Sequence, residues 1–177
     1  MNKKLKLEEL NRLSISEYAK SEKDPIIVIL DNVRSLNNVG SIFRTCDAFA
    51  VEKLFLCGIT AQPPHREIRK TAIGATESVN WEYCETTLQA IEKCKALGYD
   101  CFAIEQTKNS IFLDKLVLKN KKIALVFGNE VEGVSQGSID ICNGSIEVPQ
   151  WGTKHSFNVS VTTGIVLWEI KKSTSLI

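Results

Sequence analysis

Three polar stretches hold the residues best able to do chemistry, and each stands just beyond an apolar run. Residues 31–40 follow the run at 26–30 and lead to Arg44, about one turn beyond Gly40. A guanidinium there can reach back over the strand ends. A surface arginine on a capped helix explains the same residue, and spacing alone favours that plainer reading. Residues 128–135 follow the run at 123–127. Gly128 lets a ligand approach the backbone, while Glu130 either orients a substrate group or caps a helix. Pro149 ends the run at 146–148, and the Gly-containing loop at 150–155 can hug a ligand, with Ser156 placed as an N-cap. The segment from His65 to Lys70 has four potentially cationic side chains, His65, Arg66, Arg69 and Lys70. It is the best local candidate for phosphate contacts, although a solvated helix face looks the same. His65 is a weak candidate base, with no carboxylate partner in view.

These groups need elements to position them. The uninterrupted apolar run at 26–30 suits a strand buried on both faces, as in a parallel sheet under helices. Further strands are read at 53–57, 79–83, 99–105, 123–127 and 146–148, with a short turn or edge segment at 111–118. Helices are read at 41–49, at 86–97 with Gly98 at the C′ position, and at 135–142. The stretch after Ser156 is ambiguous. Its β-branched residues favour a strand, whereas its length and the spacing Phe157, Val161, Ile165, Trp168 favour a buried helix, which is the reading adopted. Residues 1–24 carry Leu5, Leu7, Leu10 and Leu13 at roughly helical spacing. They read as an N-terminal helical arm, either offering Lys3, Lys4, Lys6 and Arg12 to RNA or packed as a solvated helix on the domain.

With 177 residues, 44% of them hydrophobic, residues 25–177 make one domain with a real core. The net charge of +1 neither favours nor excludes a nucleic-acid partner, because a local patch suffices to bind phosphate. Six cysteines lie scattered without a C-x-x-C pair, which suggests buried reduced thiols rather than a zinc site or disulfides. The two histidines are far apart, so no metal is implied. No stretch could span a bilayer, and a cytoplasmic chain is expected.

Taken together, N-x-G-S-I-x-R at 38–44, F-G-N-E-x-x-G at 127–133 and V-P-x-x-G-x-x-x-S-F-N-V-S at 148–160 resemble the three motifs of the SpoU (TrmH-like) RNA ribose 2′-O-methyltransferases of the SPOUT superfamily. The resemblance covers about 26–172 and rests on the order and spacing of the motifs. It implies an α/β fold, a largely parallel sheet flanked by helices, with a C-terminal deep trefoil knot. S-adenosylmethionine contacts are implied at Ile104, Gly128, Val148, Ser156 and Phe157. The family more often has Ile at the position of Val148 and Leu or Met at that of Phe157. The central catalytic role falls to Arg44, with Asn38, Glu130 and Asn158 orienting it, the ribose and the loops. A homodimer packed through the C-terminal helix is also implied. An RNA-binding dimer that has lost catalysis is the contrasting reading, and Arg44, Glu130 and Asn158 together speak against it. Because only about 24 residues precede the first strand, tRNA is expected as substrate over rRNA.

Overall fold

The computed structural model describes residues 2–118 and 122–173. Seven strands form one sheet: β1 (Asp24–Asp31), β2 (Val51–Cys57), β3 (Trp81–Cys84), β4 (Asp100–Ile104), β5 (Ile111–Phe112), β6 (Ile123–Phe127) and β7 (Gly144–Glu147). Their order across the sheet is β3-β2-β1-β6-β4-β7-β5, and every ladder is parallel. The helices are α1 (Ile15–Lys20), α2 (Leu36–Ala48), α3 (Arg66–Ala72), α4 (Ala75–Ser78), α5 (Thr87–Ala96), α6 (Gln136–Ile141) and α7 (Val159–Ser173).

The apolar runs explain the layering. Alternate side chains of β1 enter opposite cores: Ile26, Val28 and Leu30 join the helices α2, α3 and α7, while Ile27 and Ile29 join α5 and α6. Both faces of the central strands are covered, so a continuous apolar sequence is what they require. β7 lies between β4 and β5, pairing Ile146 with Ile104 on one side and Ile111 on the other. α7 then packs against α2. Lys171 near its end is ion-paired with Asp24 at the start of β1. All six cysteines are free thiols, five of them buried. Burial pushes the Cys142 thiol up to about 12.

Two sequence expectations need correction. α2 begins at Leu36, not at residue 41, so Asn37 to Gly40 are helical. Gly40 looks like turn chemistry but serves a crossing: a Cβ there would lie 2.1 Å from Thr71 Oγ1 and 2.3 Å from the Ile68 carbonyl oxygen on α3. The helical reading of the last segment holds, but its face is reversed. Val159, Thr163, Val166, Leu167 and Ile170 are buried, while Phe157, Val161, Ile165 and Trp168 are exposed. A helix apolar almost all round gives the sequence no way to say which face the core takes. In the N-terminal arm Leu5, Leu10 and Leu13 face solvent. Tyr18 helps tie the arm to the domain, its hydroxyl donating to the Asp47 carbonyl oxygen at 2.9 Å.

Candidate active site

The carboxyl ends of β4, β6 and β7 open onto a cavity of about 540 Å³. Ile104, Phe127, Ile146, Val148, Phe157 and Val159 give it apolar walls, and Glu105, Glu130, Glu132 and Glu147 give it four carboxylates. Among the described residues neither lysine nor arginine lines it. The size suits a drug-sized ligand, and the charge suits one bearing a cation rather than a phosphate.

Local hydrogen bonds freeze the 128–135 loop over this cavity. Asn129 Oδ1 accepts from the Val131 and Glu132 N–H groups, each at 2.9 Å, and Asn129 exchanges two backbone bonds with Gly133 at 3.1 Å. A Cβ on Gly128 would lie 1.9 Å from the Gly133 carbonyl carbon, so glycine is needed for the loop to fold onto itself. Gly133 has φ +69°, and Glu105 Oε2 accepts from the next N–H, that of Val134, at 3.0 Å. The loop's end is tied to β1 by Asp31, a buried carboxylate. Its Oδ2 accepts from Ser135 N–H at 2.9 Å and Ser135 Oγ at 2.8 Å, and its Oδ1 accepts from Thr87 Oγ1 at 2.6 Å. On the other side, Gln106 Nε2 donates to the His155 carbonyl oxygen at 3.1 Å, holding the 150–158 loop to the cavity mouth.

Glu130 links the cavity to α2. Its carboxylate accepts from the Arg34 and Ser35 N–H groups at 3.1 Å and from Asn38 Nδ2 at 2.8 Å. Partial burial pushes the Glu130 carboxyl up, but the hydrogen bonds from Asn38 and the backbone outweigh it and leave it below the usual carboxylate range. Asn38 Oδ1 in turn accepts from Asn158 Nδ2 at 3.1 Å. Asn158 Oδ1 then accepts from the Ser160 N–H at 2.9 Å, so Asn158 caps the start of α7. The capping expected of Ser156 therefore belongs to Asn158, because the helix starts later than its apolar pattern does.

A profile of the SpoU rRNA Methylase family matches residues 25–168. The chain belongs to that family. Among its relatives is the tRNA (guanosine(18)-2′-O)-methyltransferase of Aquifex aeolicus, 35% identical over 159 residues that cover 86% of this chain and 71% of that protein. The 23S rRNA (guanosine-2′-O-)-methyltransferase of Haemophilus influenzae is 30% identical, covering 92% of this chain and 65% of that protein. The crystal structure of the A. aeolicus TrmH/SpoU tRNA modifying enzyme superposes with a TM-score of 0.80 at 30% identity, over 92% of this chain and 81% of that one. An AdoMet-bound rRNA methyltransferase from Sinorhizobium meliloti gives 0.79 at 27% identity, over 85% and 57%.

The SpoU site residues inferred from sequence fall into two groups. Ile104, Gly128, Val148, Ser156 and Phe157 line the cavity with Glu130 and Asn158, and Asn38 joins them through its two hydrogen bonds. Arg44 does not line it. It stands on α2 six residues past Asn38, roughly 9 Å along the axis, exposed and with no side-chain hydrogen bond or ion pair to the described residues. His65 is the N-cap of α3, its Nδ1 accepting from the Glu67 N–H at 3.2 Å. Sequence reasoning missed Asp31 and Glu105. Each is an acidic residue directly closing an apolar run at the carboxyl edge of the sheet, and that position was the available signal.

Proposed function

We propose that this SpoU methylase transfers a methyl group from S-adenosylmethionine to a ribose 2′-hydroxyl of RNA, with tRNA favoured over rRNA. The observation that carries this reading is the hydrogen-bonded chain Glu130–Asn38–Asn158, which ties the acid-lined cavity to the helix bearing Arg44. The cavity fits the cofactor: apolar walls from Ile104, Val148 and Phe157 suit an adenine, and a lining with four carboxylates and, among the described residues, no lysine or arginine suits a cationic sulfonium. When bound, S-adenosylmethionine supplies a methyl group already activated for in-line displacement by the ribose oxygen. The protein's own task is placement. Arg44 binds the phosphate beside the target ribose and polarises the hydroxyl. A guanidinium keeps its proton at any physiological pH, so it is not the base. Glu130 is held as the anion and saturated with donors, which makes it a poor base and a good anchor. The hydroxyl proton therefore leaves to substrate phosphate or water.

The preference for tRNA leans on the A. aeolicus relative at 35% identity, against 30% for the rRNA enzyme of H. influenzae. Relatives of both kinds are named for guanosine, which makes guanosine the proposed acceptor nucleoside. A cytoplasmic location goes with an RNA substrate. The division into a helical arm at 1–24 and a methyltransferase domain at 25–177 belongs to the same reading, as does a trefoil knot. Supporting the knot, β7 enters the sheet between β4 and β5, which precede it in the chain, and α7 returns to α2.

A homodimer is proposed as well. Trp151, Phe157, Ile165 and Trp168 line an open apolar groove of about 640 Å³ along α7, and Trp151 is 92% exposed. Apolar surface gathered on one helix face marks an interface. Phe157 lines both groove and cavity, so a partner would abut the cofactor. Light scattering should give twice the chain mass, and Trp168→Glu should give the single mass. For the activity, label from S-adenosylmethionine should enter bulk tRNA. Label entering only rRNA would move the substrate, and label in neither would refute the reading.

A further inference from the structure

The cationic segment noted in the sequence takes no part in the cavity, and its arrangement is specific. Arg66, Arg69, Lys70 and Ile73 are spaced i, i+3, i+4, i+7 and are all exposed, whereas Ile68 and Ala72 are buried on the opposite side of α3. α3 thus presents three cations in one solvent-facing row. The row is nearly free of counter-charge: Lys70 approaches Glu67 at 3.9 Å, and neither Arg66 nor Arg69 has an ion pair to the described residues. The row is also fixed relative to the site. Thr71 Oγ1 donates to the Asn37 carbonyl oxygen at 3.1 Å, and α3 crosses α2 at Gly40, between Asn38 and Arg44.

Ile73 is an independent oddity at the end of the row. It closes α3 in the left-handed conformation, φ 48°, and is 67% exposed. A β-branched residue is a genuine outlier there, and an apolar one in water gains nothing from the position. Strain of this kind concentrates where a ligand or partner is met.

We propose that the outer face of α3 is the track for the substrate RNA backbone. Arg66, Arg69 and Lys70 meet successive phosphates on the way to Arg44, and Ile73 lies against an exposed ribose or base face. The proposal rests on the RNA-methylating function above and adds the surface that carries the RNA. It divides labour by charge: the acidic cavity repels the phosphodiester chain, and the neighbouring helix attracts it.

The test is binding of bulk tRNA to the full chain at stepped salt, followed by anisotropy, with methyl transfer measured in parallel. The triple variant Arg66→Gln, Arg69→Gln, Lys70→Gln should bind tRNA about ten-fold or more weakly, with a log–log salt slope reduced by about two. Its affinity for S-adenosylmethionine should be unchanged, which reports an intact fold. Ile73→Gly removes the backbone strain, so its melting temperature should hold or rise while tRNA affinity falls. A purely structural Ile73 would leave tRNA binding alone. Wild-type affinity and slope in the triple variant would overturn the proposal and leave the methyltransferase reading standing. The expected binding deficits without methyl transfer by the wild type would do the reverse. No tRNA binding by the wild type would overturn the proposal together with the preference for tRNA.

Discussion

The loop over the cavity and the helix face that carries Arg44 are neighbours built on opposite plans. In the loop nearly every polar group is used internally: Asn129 cross-links it, Glu105 holds Val134, and Asp31 anchors Ser135. On the outer side of α2 and α3, by contrast, the side chains of Arg44, Arg66 and Arg69 make no hydrogen bond or ion pair to the described residues. The difference matches what the two proposed ligands would each require. A small cofactor needs a cavity already shaped, since ordering loops on binding would subtract from affinity. A polyanion needs charge that is not already neutralised, because releasing its counterions drives association. Glu130, Asn38 and Asn158 are the seam between the two plans.

The sharpest way to break the comparison is to unfreeze the loop. Gly128→Ala places a Cβ 1.9 Å from Gly133, so the loop must shift. Affinity for S-adenosylmethionine should fall ~100-fold and stability by about 1–3 kcal/mol, measured by calorimetry and denaturant melts. Undiminished cofactor affinity would mean the loop is not the binding wall. Cutting the seam should cost less. Asn38→Ala frees Glu130 from one side and Asn158 from the other, and turnover should drop roughly 10- to 100-fold with a smaller change in cofactor affinity. Equal losses in both would erase the boundary between the regions.

Glu130→Gln sharpens the electrostatic side. The folded carboxyl lies below its unfolded value of about 4.3, so its contribution is fully present above that pH and is lost as pH falls through the lower folded value. The stability gap between wild type and variant, about 1 kcal/mol, should be constant from neutral pH to about pH 5 and shrink below about pH 4. A gap that persists undiminished to pH 3 would contradict an ionised anchor. The smallest effect belongs to His65→Ala, which removes the α3 cap. It should lower stability by about 1 kcal/mol and leave kcat and its pH profile alone. A lost acid limb in that profile would revive His65 as a base.

The centre of the sheet was legible because β1 and β6 are apolar runs, and strands buried on both faces have little else to encode. The gathering of Asn38, Glu130 and Asn158 was legible only through the order of three motifs, since nothing in their spacing brings residues 92 and 120 positions apart together. The start of α2 was hidden because Asn37, Asn38 and Gly40 mimic a turn, whereas Asn38 hydrogen-bonds Glu130 and Asn158 and Gly40 allows a helix crossing. The buried face of α7 was hidden because both of its faces are apolar, one for the core and one left exposed. Asp31 and Glu105 escaped because an acid after a strand is common, and its partners at Ser135 and Val134 lie far along the chain.

The most direct test of the division of labour is a paired measurement on Arg44→Ala: calorimetric affinity for S-adenosylmethionine, and methyl transfer to bulk tRNA from the same preparation. The structure predicts wild-type cofactor affinity with transfer lowered by ~10³-fold. Cofactor affinity lost together with transfer would place Arg44 in the cavity's own machinery, and transfer retained would remove it from the chemistry; either result would contradict the two-region account.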